Sequence, residues 1–391
     1  MRLFTSKLNG LVLLALLSLF SVSEADAQTA VLIEDESFKT DAQAAIDSLY
    51  NQNQEEARQI LKPWIDSNPD HPLWVLWDGM ELWWTVLKDL HNTEHDEEFF
   101  NVMKRADYEA SKLLRRDRDH PDALIIRAIA NGYTARHYSN REEWLTAANI
   151  GRKAYQAYSR LMEVVPGLPD NTFAEGMKRY YAAYIPENYP VVRAVSWFLP
   201  DGDREEGLNL LEIASQEGVF SRPEATYFLG NIYLNYESNY DQALDYFHDL
   251  VNQYPNNTFY SRLYTRTLNH LNRYNDVIEF ADVTLEKSEN LPVKERRILE
   301  EEIHYWLGLA EYKRGNFVEA LESFKKSYDT GRELPNPEIR PIQALAAYQA
   351  GRTSERLNNS EEAGLYYRKV LEHNNSEEAK RLARQRIEAI N

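Results

Sequence analysis

The stretch FLGNIYLNYESNYDQALDYFHDLVNQYPNN, Phe228–Asn257, decides the fold. Its apolar residues recur three and four positions apart in two segments separated by a polar turn, which predicts two α-helices. Gly230 and Ala243 are small enough to let antiparallel helices cross closely, and the ring of Phe247 fills the space beside that crossing. Pro255 ends the second helix because proline cannot donate to the helical hydrogen-bond ladder. The stretch therefore predicts a helical hairpin.

The same order of small and large residues returns later in the chain. A second unit has Gly308, Ala320 and Phe324, and a third begins at Gly351, with an alanine and a tyrosine in the corresponding places. These residues resemble the tetratricopeptide repeat (TPR) family, whose unit is a helix–turn–helix of about 34 residues. The resemblance implies an all-α fold, a TPR-like α-solenoid of antiparallel helix pairs with a C-terminal capping helix.

Hydrophobic periodicity extends this interpretation over most of the chain. Eight helix pairs are predicted, at 38–68, 72–116, 120–165, 171–217, 223–254, 259–288, 293–330 and 336–372. The predicted layout is a signal peptide at 1–27, an N-terminal linker at 28–37, degenerate TPR-like helical pairs at 38–217, TPR repeats at 218–375 and a capping helix at 376–391. That last helix is charged at most positions, with Leu382, Ile387 and Ile390 spaced for burial, as a terminal cap requires.

An aromatic, proline-rich connector near 184–200 interrupts the predicted pairs. Pro186, Pro190 and Pro200 are expected to prevent one continuous helix there. The connector either binds a ligand or covers a gap between repeats.

The N-terminus predicts export. Arg2 and Lys7 precede the apolar run Leu11–Phe20, and Ala25 and Ala27 form a small-residue cleavage site. We therefore expect a chain that is cleaved after Ala27 and works in the periplasm or outside the cell. No transmembrane segment is expected in the mature chain, because no later stretch is long and apolar enough.

The composition bears on the function class. A net charge of −18 repels phosphate backbones, so no nucleic acid partner is expected. The chain has no cysteine, which excludes thiol nucleophiles and disulfides. Nucleotide-binding and hydrolase motifs are missing, so we expect no catalytic residues, no cofactor and no enzymatic activity.

Two stretches carry a functional and a structural interpretation. The run His71–Trp84 holds four tryptophans on one predicted helix, and core packing is favoured there over a stacking platform. The stretch His91–His95, HNTEH, matches an inverted zinc-protease motif, which requires one continuous helix. Asn92 and Thr93 instead predict a turn with Thr93 as N-cap, so no metal site is expected.

The TPR resemblance also implies a binding groove. In TPR domains the groove is lined by first-helix positions three before, one after and five after the repeat glycine. These positions are Tyr227, Asn231, Asn235, Tyr305, Leu309, Lys313, Tyr348, Arg352 and Arg356. The three tyrosines either form a ladder for a ligand or pack against the preceding repeat.

The expected function is a non-enzymatic protein–protein interaction scaffold of the bacterial cell envelope that holds a protein or peptide partner in the concave groove. The Tyr-Pro ending of the second helix resembles repeats of outer-membrane-protein assembly factors, which implies the envelope role. The alternative is an envelope glycan-binding protein, for which the 25 tyrosines and exposed aromatic rings would supply stacking surfaces.

Overall fold

The computed structural model describes residues 30–188, 202–373 and 376–390, and these residues form helices and no β-strand. The predicted signal peptide lies outside the described residues, as do positions 189–201 of the predicted connector. None of the described helices combines the length and apolar character needed to cross a membrane.

The predicted helix pairs are present, and most of the turns that the structure describes are short. Numbered along the chain, the α-helices are α1 Glu36–Tyr50, α2 Gln54–Ser67, α3 Leu73–Lys88, α4 Asp96–Arg116, α5 Pro121–Asn140, α6 Trp144–Val164, α7 Asn171–Asn188, α8 Arg204–Glu217, α9 Arg222–Asn235, α10 Tyr240–Gln253, α11 Thr258–His270, α12 Tyr274–Ser288, α13 Val293–Arg314, α14 Phe317–Arg332, α15 Pro341–Arg356, α16 Ser360–Leu371 and α17 Glu377–Ile390. Each packs mainly against its sequence neighbours, which makes the described chain a TPR-like α-solenoid.

The helix starts follow from local chemistry. Asn239, Asn257 and Asn359 are N-caps whose side-chain oxygens accept hydrogen bonds from backbone N–H groups of the first turn of α10, α11 and α16. These bonds satisfy donors that a helix start leaves without partners inside the helix. The asparagines therefore fix where three of the repeat helices begin.

One local prediction is wrong, and one stays open. The expected N-cap of α4 was Thr93, but the helix begins at Asp96 after His95, while Asn92 Oδ1 accepts a hydrogen bond from the Glu94 N–H at 3.1 Å. Helix α7 runs through Pro186 to Asn188, and Pro190 and Pro200 lie outside the described residues, so the expectation that the three prolines prevent one continuous helix stays a prediction.

The tryptophan run on α3 is core, as predicted. Trp77, Trp83 and Trp84 are buried. Trp83 contacts the ring of Phe99 on α4 at 5.4 Å between centroids, and Trp84 contacts Tyr50 on α1 at 4.9 Å. The half-buried Trp74 donates its indole N–H to the carbonyl of Asn68 at 2.6 Å. These rings fill the space between helices and offer no stacking platform to a sugar.

The residues before α1 are fixed to the fold. Leu32 and Ile33 are buried, and their backbone N–H groups donate to the carboxylate of Asp122 at 2.6 and 3.0 Å. His71 lies 3.1 Å from the same carboxylate. Asp122 thus joins the start of the described chain to α5.

The N-terminal helices fold back onto the C-terminal repeats. Asp47 on α1 accepts hydrogen bonds from Arg222 and from the hydroxyl of Tyr254, both at 2.7 Å. Asn257 donates to the carbonyl of Tyr50 at 2.6 Å, and α3 packs against α11. The solenoid is therefore curled, with α1 and α3 lying on the first helices of later repeats.

The last helix closes the final repeat. On α17 the buried residues are Ala379 and Ala383, and Ile387 and Ile390 pack against the core of α13–α16. Leu382 is only half-buried. The outer side of α17 carries charged residues, so this helix separates the repeat core from water.

Candidate binding surface on the first helices of the repeats

The first helices of the C-terminal pairs, α9, α11, α13 and α15, line one face of the solenoid, called here the helix-A face. This is the concave face in TPR solenoids. The fold-back covers part of it. Tyr227 on α9 is only 8% exposed, and the guanidinium of Arg136 from α5 lies 4.8 Å from its ring centroid. The predicted ladder residue Tyr227 thus faces the chain's own N-terminal helices.

A polar cluster lies where the N-terminal helices contact the later repeats, and this contact is called here the seam. Glu224 accepts a hydrogen bond from the hydroxyl of Tyr50 at 2.6 Å and pairs with Arg136 at 2.5 Å. Burial, reinforced by the negative charge of Glu224, raises the pKa of Tyr50 well above its usual value. The phenol therefore stays protonated and donates to Glu224, so the seam contains a satisfied donor and acceptor.

The other two predicted ladder tyrosines lie in different surroundings. Tyr305 on α13 is 5% exposed, with its ring 5.0 Å from that of Trp306 and 6.1 Å from that of Phe324. Burial raises the pKa of Tyr305 to about 12. Tyr348 on α15 is half-buried, and its ring lies 5.7 Å from that of Tyr367. Of the three rings, only Tyr348 offers substantial surface.

The predicted positions after the glycines lie closer to solvent. On α9, Asn231 is half-buried and Asn235 is exposed, and Asn235 Nδ2 donates to Asn231 Oδ1 at 2.8 Å. On α13, Leu309 is half-buried and Lys313 is exposed. Arg352 and Arg356 on α15 are half-buried and exposed respectively. These six side chains lie in the middle and last turns of their helices.

Tyr312 joins the α13 and α15 positions. The hydroxyl of Tyr312 accepts a hydrogen bond from Arg356 Nε at 3.3 Å and one from Arg352 Nη2 at 3.4 Å. The guanidinium of Arg352 also lies 5.1 Å from the Tyr312 ring centroid. The structure therefore brings Arg352 and Arg356 together around one phenol, and the exposed Lys313 follows Tyr312 on α13.

The same side of α11 adds another cation. Arg266 donates to Asn235 Oδ1 at 3.1 Å. Asn269 Nδ2 donates to the carbonyl of Trp306 at 3.2 Å, which keeps α11 and α13 side by side here. The surface that continues across these helices, called the open lane, consists of Arg266, Trp306, Tyr312, Lys313, Arg352 and Arg356.

Within the described part of the chain, the arginines of the open lane form hydrogen bonds but no ion pairs. Among the described residues, Arg266, Arg352 and Arg356 make their side-chain hydrogen bonds to neutral groups, and no carboxylate forms an ion pair with any of them. The two acidic neighbours are already paired, Glu355 with Arg386 and Glu302 with Arg262. In a protein of net charge −18, the open lane is therefore a cationic surface whose arginines have no ion-pair partner among the described residues.

The two histidines of the HNTEH stretch lie on different elements. His91 lies in the turn after α3, and His95 is the residue before α4, so the two do not share a helix. Burial, followed by the charge of Arg340, lowers the pKa of His91. Across the described ranges, no cluster of histidine and carboxylate side chains could hold a metal ion.

Sequence reasoning missed part of this surface. Tyr312 and Arg266 lie outside the three positions that the repeat glycines specify, and Trp306 directly follows a position assigned to the ladder. The spacing rule identifies Lys313, Arg352 and Arg356. The unpaired state of the arginines depends on tertiary contacts, for which the sequence gives no signal.

Comparison with known proteins agrees with the repeat motif. Residues 225–257, which cover most of α9 and all of α10, match the tetratricopeptide repeat family. No curated protein sequence matches the chain. The segment 225–257 is therefore a tetratricopeptide repeat within a TPR-like α-solenoid.

Two solved structures resemble the chain at low identity. The ArsTM double mutant of MamA RS-1 is 18% identical with a TM-score of 0.36, and the match covers 54% of this chain and 96% of that one. The yeast Tom70 crystal structure is 12% identical with a TM-score of 0.44, and the match covers 92% of this chain and 83% of that one.

Proposed function

We propose that this protein is a non-enzymatic scaffold of the bacterial cell envelope that binds a partner protein or peptide along the open lane. The observation that carries the proposal is that Arg266, Arg352 and Arg356 form no ion pair among the described residues of an otherwise acidic chain. Most other arginines near the helix-A face pair with carboxylates, as Arg262 and Arg340 do.

The lane chemistry specifies an acidic partner segment. Guanidinium groups bind carboxylates through charge-assisted hydrogen bonds, which are about twice as strong as neutral ones. The partly exposed rings of Trp306 and Tyr312 add contact area for an apolar side chain next to the acidic one. The net charge of −18 opposes binding of nucleic acid despite this cationic surface. An extended peptide with several Asp or Glu residues and one large apolar residue fits this surface.

The binding experiment is fluorescence anisotropy with labelled peptides of that composition. Replacing both Arg352 and Arg356 with Glu should weaken binding at least about tenfold, because each charged hydrogen bond contributes on the order of 1.5–3 kcal/mol. The affinity of the unaltered protein should fall as salt rises.

The matched control changes the net charge equally at a distance from the lane. Lys104 and Arg115 on α4 are exposed, and replacing both with Glu should leave peptide binding nearly unchanged. Equal weakening by both double variants would show that only net charge matters. Unchanged binding by the Arg352→Glu, Arg356→Glu variant would remove the lane from the binding surface.

The envelope location is a separate part of the proposal and rests on the signal peptide predicted at 1–27. Expression of the full chain, followed by fractionation and N-terminal sequencing, should find a protein outside the cytoplasm that begins at Gln28. A chain retained in the cytoplasm with Met1 intact would disprove the location and leave the binding surface untouched.

A further inference from the structure

The fold-back joins two regions of different character. The largest buried cluster runs from Leu32 through the α3 tryptophans to Tyr260 on α11, so α1–α5 share one apolar core with α9–α11. The helices α13–α17 have a cluster of their own, built from residues such as Tyr305, Phe324 and Tyr367, and a smaller apolar cluster joins Ala310 on α13 to Leu268 on α11. The first part of the seam is therefore apolar and continuous.

The second part of the seam is polar. The turn after α3, residues 89–94, meets α13 and the segment before α15 through ion pairs and hydrogen bonds. Arg340 Nη1 lies 2.8 Å from Asp89 Oδ1, Asn336 Nδ2 donates to the carbonyl of His91 at 2.9 Å, and Lys294 lies 3.3 Å from Glu94.

Arg340 is the centre of this contact. Its Nε and Nη2 donate to Glu301 at 3.0 and 2.7 Å, so one side of the guanidinium is held within the C-terminal repeats. Its Nη1 crosses the seam to Asp89, which is 251 residues away in sequence. Arg340 and Asp89 are 2% and 5% exposed.

Closure of this seam removes charges from water without pairing them fully. Asp89 Oδ2 is buried and has no hydrogen-bond partner among the described residues. Burying an ion pair costs desolvation energy of the same order as the attraction gained, whereas opening would return Asp89 to water and leave the Arg340–Glu301 pair intact. Opening the seam at this pair is therefore expected to cost less free energy than separating a fully satisfied buried pair.

We propose that the Asp89–Arg340 pair is the latch of a conformational switch in which α13–α17 move against the turn after α3, while the apolar seam of α1–α5 with α9–α11 stays closed. The switch changes the curvature of the helix-A face between α11 and α13. It is defined by intramolecular distances, so its test needs no partner and is independent of the proposed peptide binding.

The experiment measures a distance across the seam by pulsed electron spin resonance. The chain has no cysteine, so Thr93→Cys and Glu361→Cys provide unique sites for two spin labels. Thr93 and Glu361 are exposed. Arg340 directly precedes α15 and Glu361 follows it, so the two residues are separated by the length of this helix, about 24 Å. Movement of the C-terminal repeats should change this distance measurably.

The test variant is Asp89→Asn, which keeps the side-chain shape and removes the charge that crosses the seam. We expect the population with the longer distance to rise about tenfold, because a neutral amide binds the Arg340 guanidinium more weakly than a carboxylate does. The matched control is Glu94→Gln, which removes the charge of an exposed ion pair in the same turn and should leave the distance distribution unchanged.

A single narrow distance that is the same in all three proteins would overturn the proposal, as would equal shifts in the two variants. If Asp89→Asn loses its helical circular dichroism signal, the labelled chain that retains Asp89 is measured in urea below its unfolding transition. The longer distance must then grow before helicity falls, and a distance change that only accompanies loss of helicity rejects the latch.

Discussion

The backbone of Gly351 lies against the ring of Tyr367, so that a β-carbon at position 351 would come within 2.7 Å of Tyr367 Cε1. The same relationship joins Gly230 to Phe247 and Gly308 to Phe324, with closest approaches of 2.9 and 2.8 Å. In each pair the glycine belongs to the first helix and the ring to the second. The repeat spacing seen in the sequence is therefore a packing rule. The glycine of the first helix has no side chain, so the aromatic ring of the second helix packs directly against its backbone.

This packing predicts opposite effects of the same substitution at two helical glycines. Gly351→Ala should destabilise the fold by about 1–3 kcal/mol, because Tyr367 is fully buried and cannot move aside freely. Gly132→Ala on α5 should stabilise by up to about 1 kcal/mol, since nothing lies within 4 Å of the added carbon and alanine favours the helix. Urea unfolding followed by circular dichroism measures both. Equal shifts at the two positions would contradict the packing rule.

The sequence predicts the helix pairs well because their signals are local. Helical periodicity, asparagine caps and the Gly–aromatic spacing all act within about forty residues, and they locate the boundaries of α9–α16 closely. The fold-back has no such signal. Asp89 and Arg340 meet across most of the chain, and no pattern around either residue specifies the other. The placement of α1 and α3 on the helix-A face was therefore beyond sequence reasoning.

The three predicted ladder tyrosines should differ in their contribution to stability. Tyr227→Ala and Tyr305→Ala remove buried rings and should each cost about 3 kcal/mol or more. Tyr348→Ala should cost less, because that ring is only half-buried. The reference is Tyr108→Ala on α4, where a 56% exposed ring should change stability by no more than about 0.5 kcal/mol. A loss for Tyr348→Ala as large as for Tyr227→Ala would show that the repeats pack alike at this position.

The cap on the last repeat leads to a prediction with a matched pair of variants. Ala383 on α17 is fully buried, so Ala383→Arg should detach the helix and expose the apolar side of α15 and α16. Ala389→Arg, on the exposed side of the same helix, should be nearly neutral. Light scattering on warming should show aggregation of the first variant at a lower temperature. If both variants stay monomeric with unchanged melting, α17 does not protect the last repeat.

The candidate site was only partly readable from the sequence, for a physical reason. The positions of Lys313, Arg352 and Arg356 follow from helix periodicity, which any repeat preserves. Their availability depends on what surrounds them, since Glu355 is taken by Arg386 on α17 and the covered part of the face is filled by the N-terminal helices. Charge pairing between distant helices is a property of the folded chain alone.

The last prediction concerns acid sensitivity at His304 on α13. Burial, with a smaller contribution from the charge of Lys326, lowers the pKa of His304 to about 4, from 6.5 in the absence of the fold. Its Nδ1 is buried and makes no hydrogen bond within the described residues. The folded protein therefore holds this imidazole neutral, whereas the unfolded chain binds a proton once the pH falls below 6.5. Unfolding then takes up a proton, so stability falls as the pH is lowered from 6.5 to about 4 and the loss is complete below that. At 1.36 kcal/mol per unit of pKa, His304 contributes a loss of about 3 kcal/mol.

His304→Leu should abolish this loss, and the difference in unfolding free energy between the variant and the unaltered protein should grow in favour of leucine across the same pH range. Urea unfolding at half-unit pH steps measures it. Two curves that run parallel from pH 7 to pH 4 would show that His304 does not control acid stability.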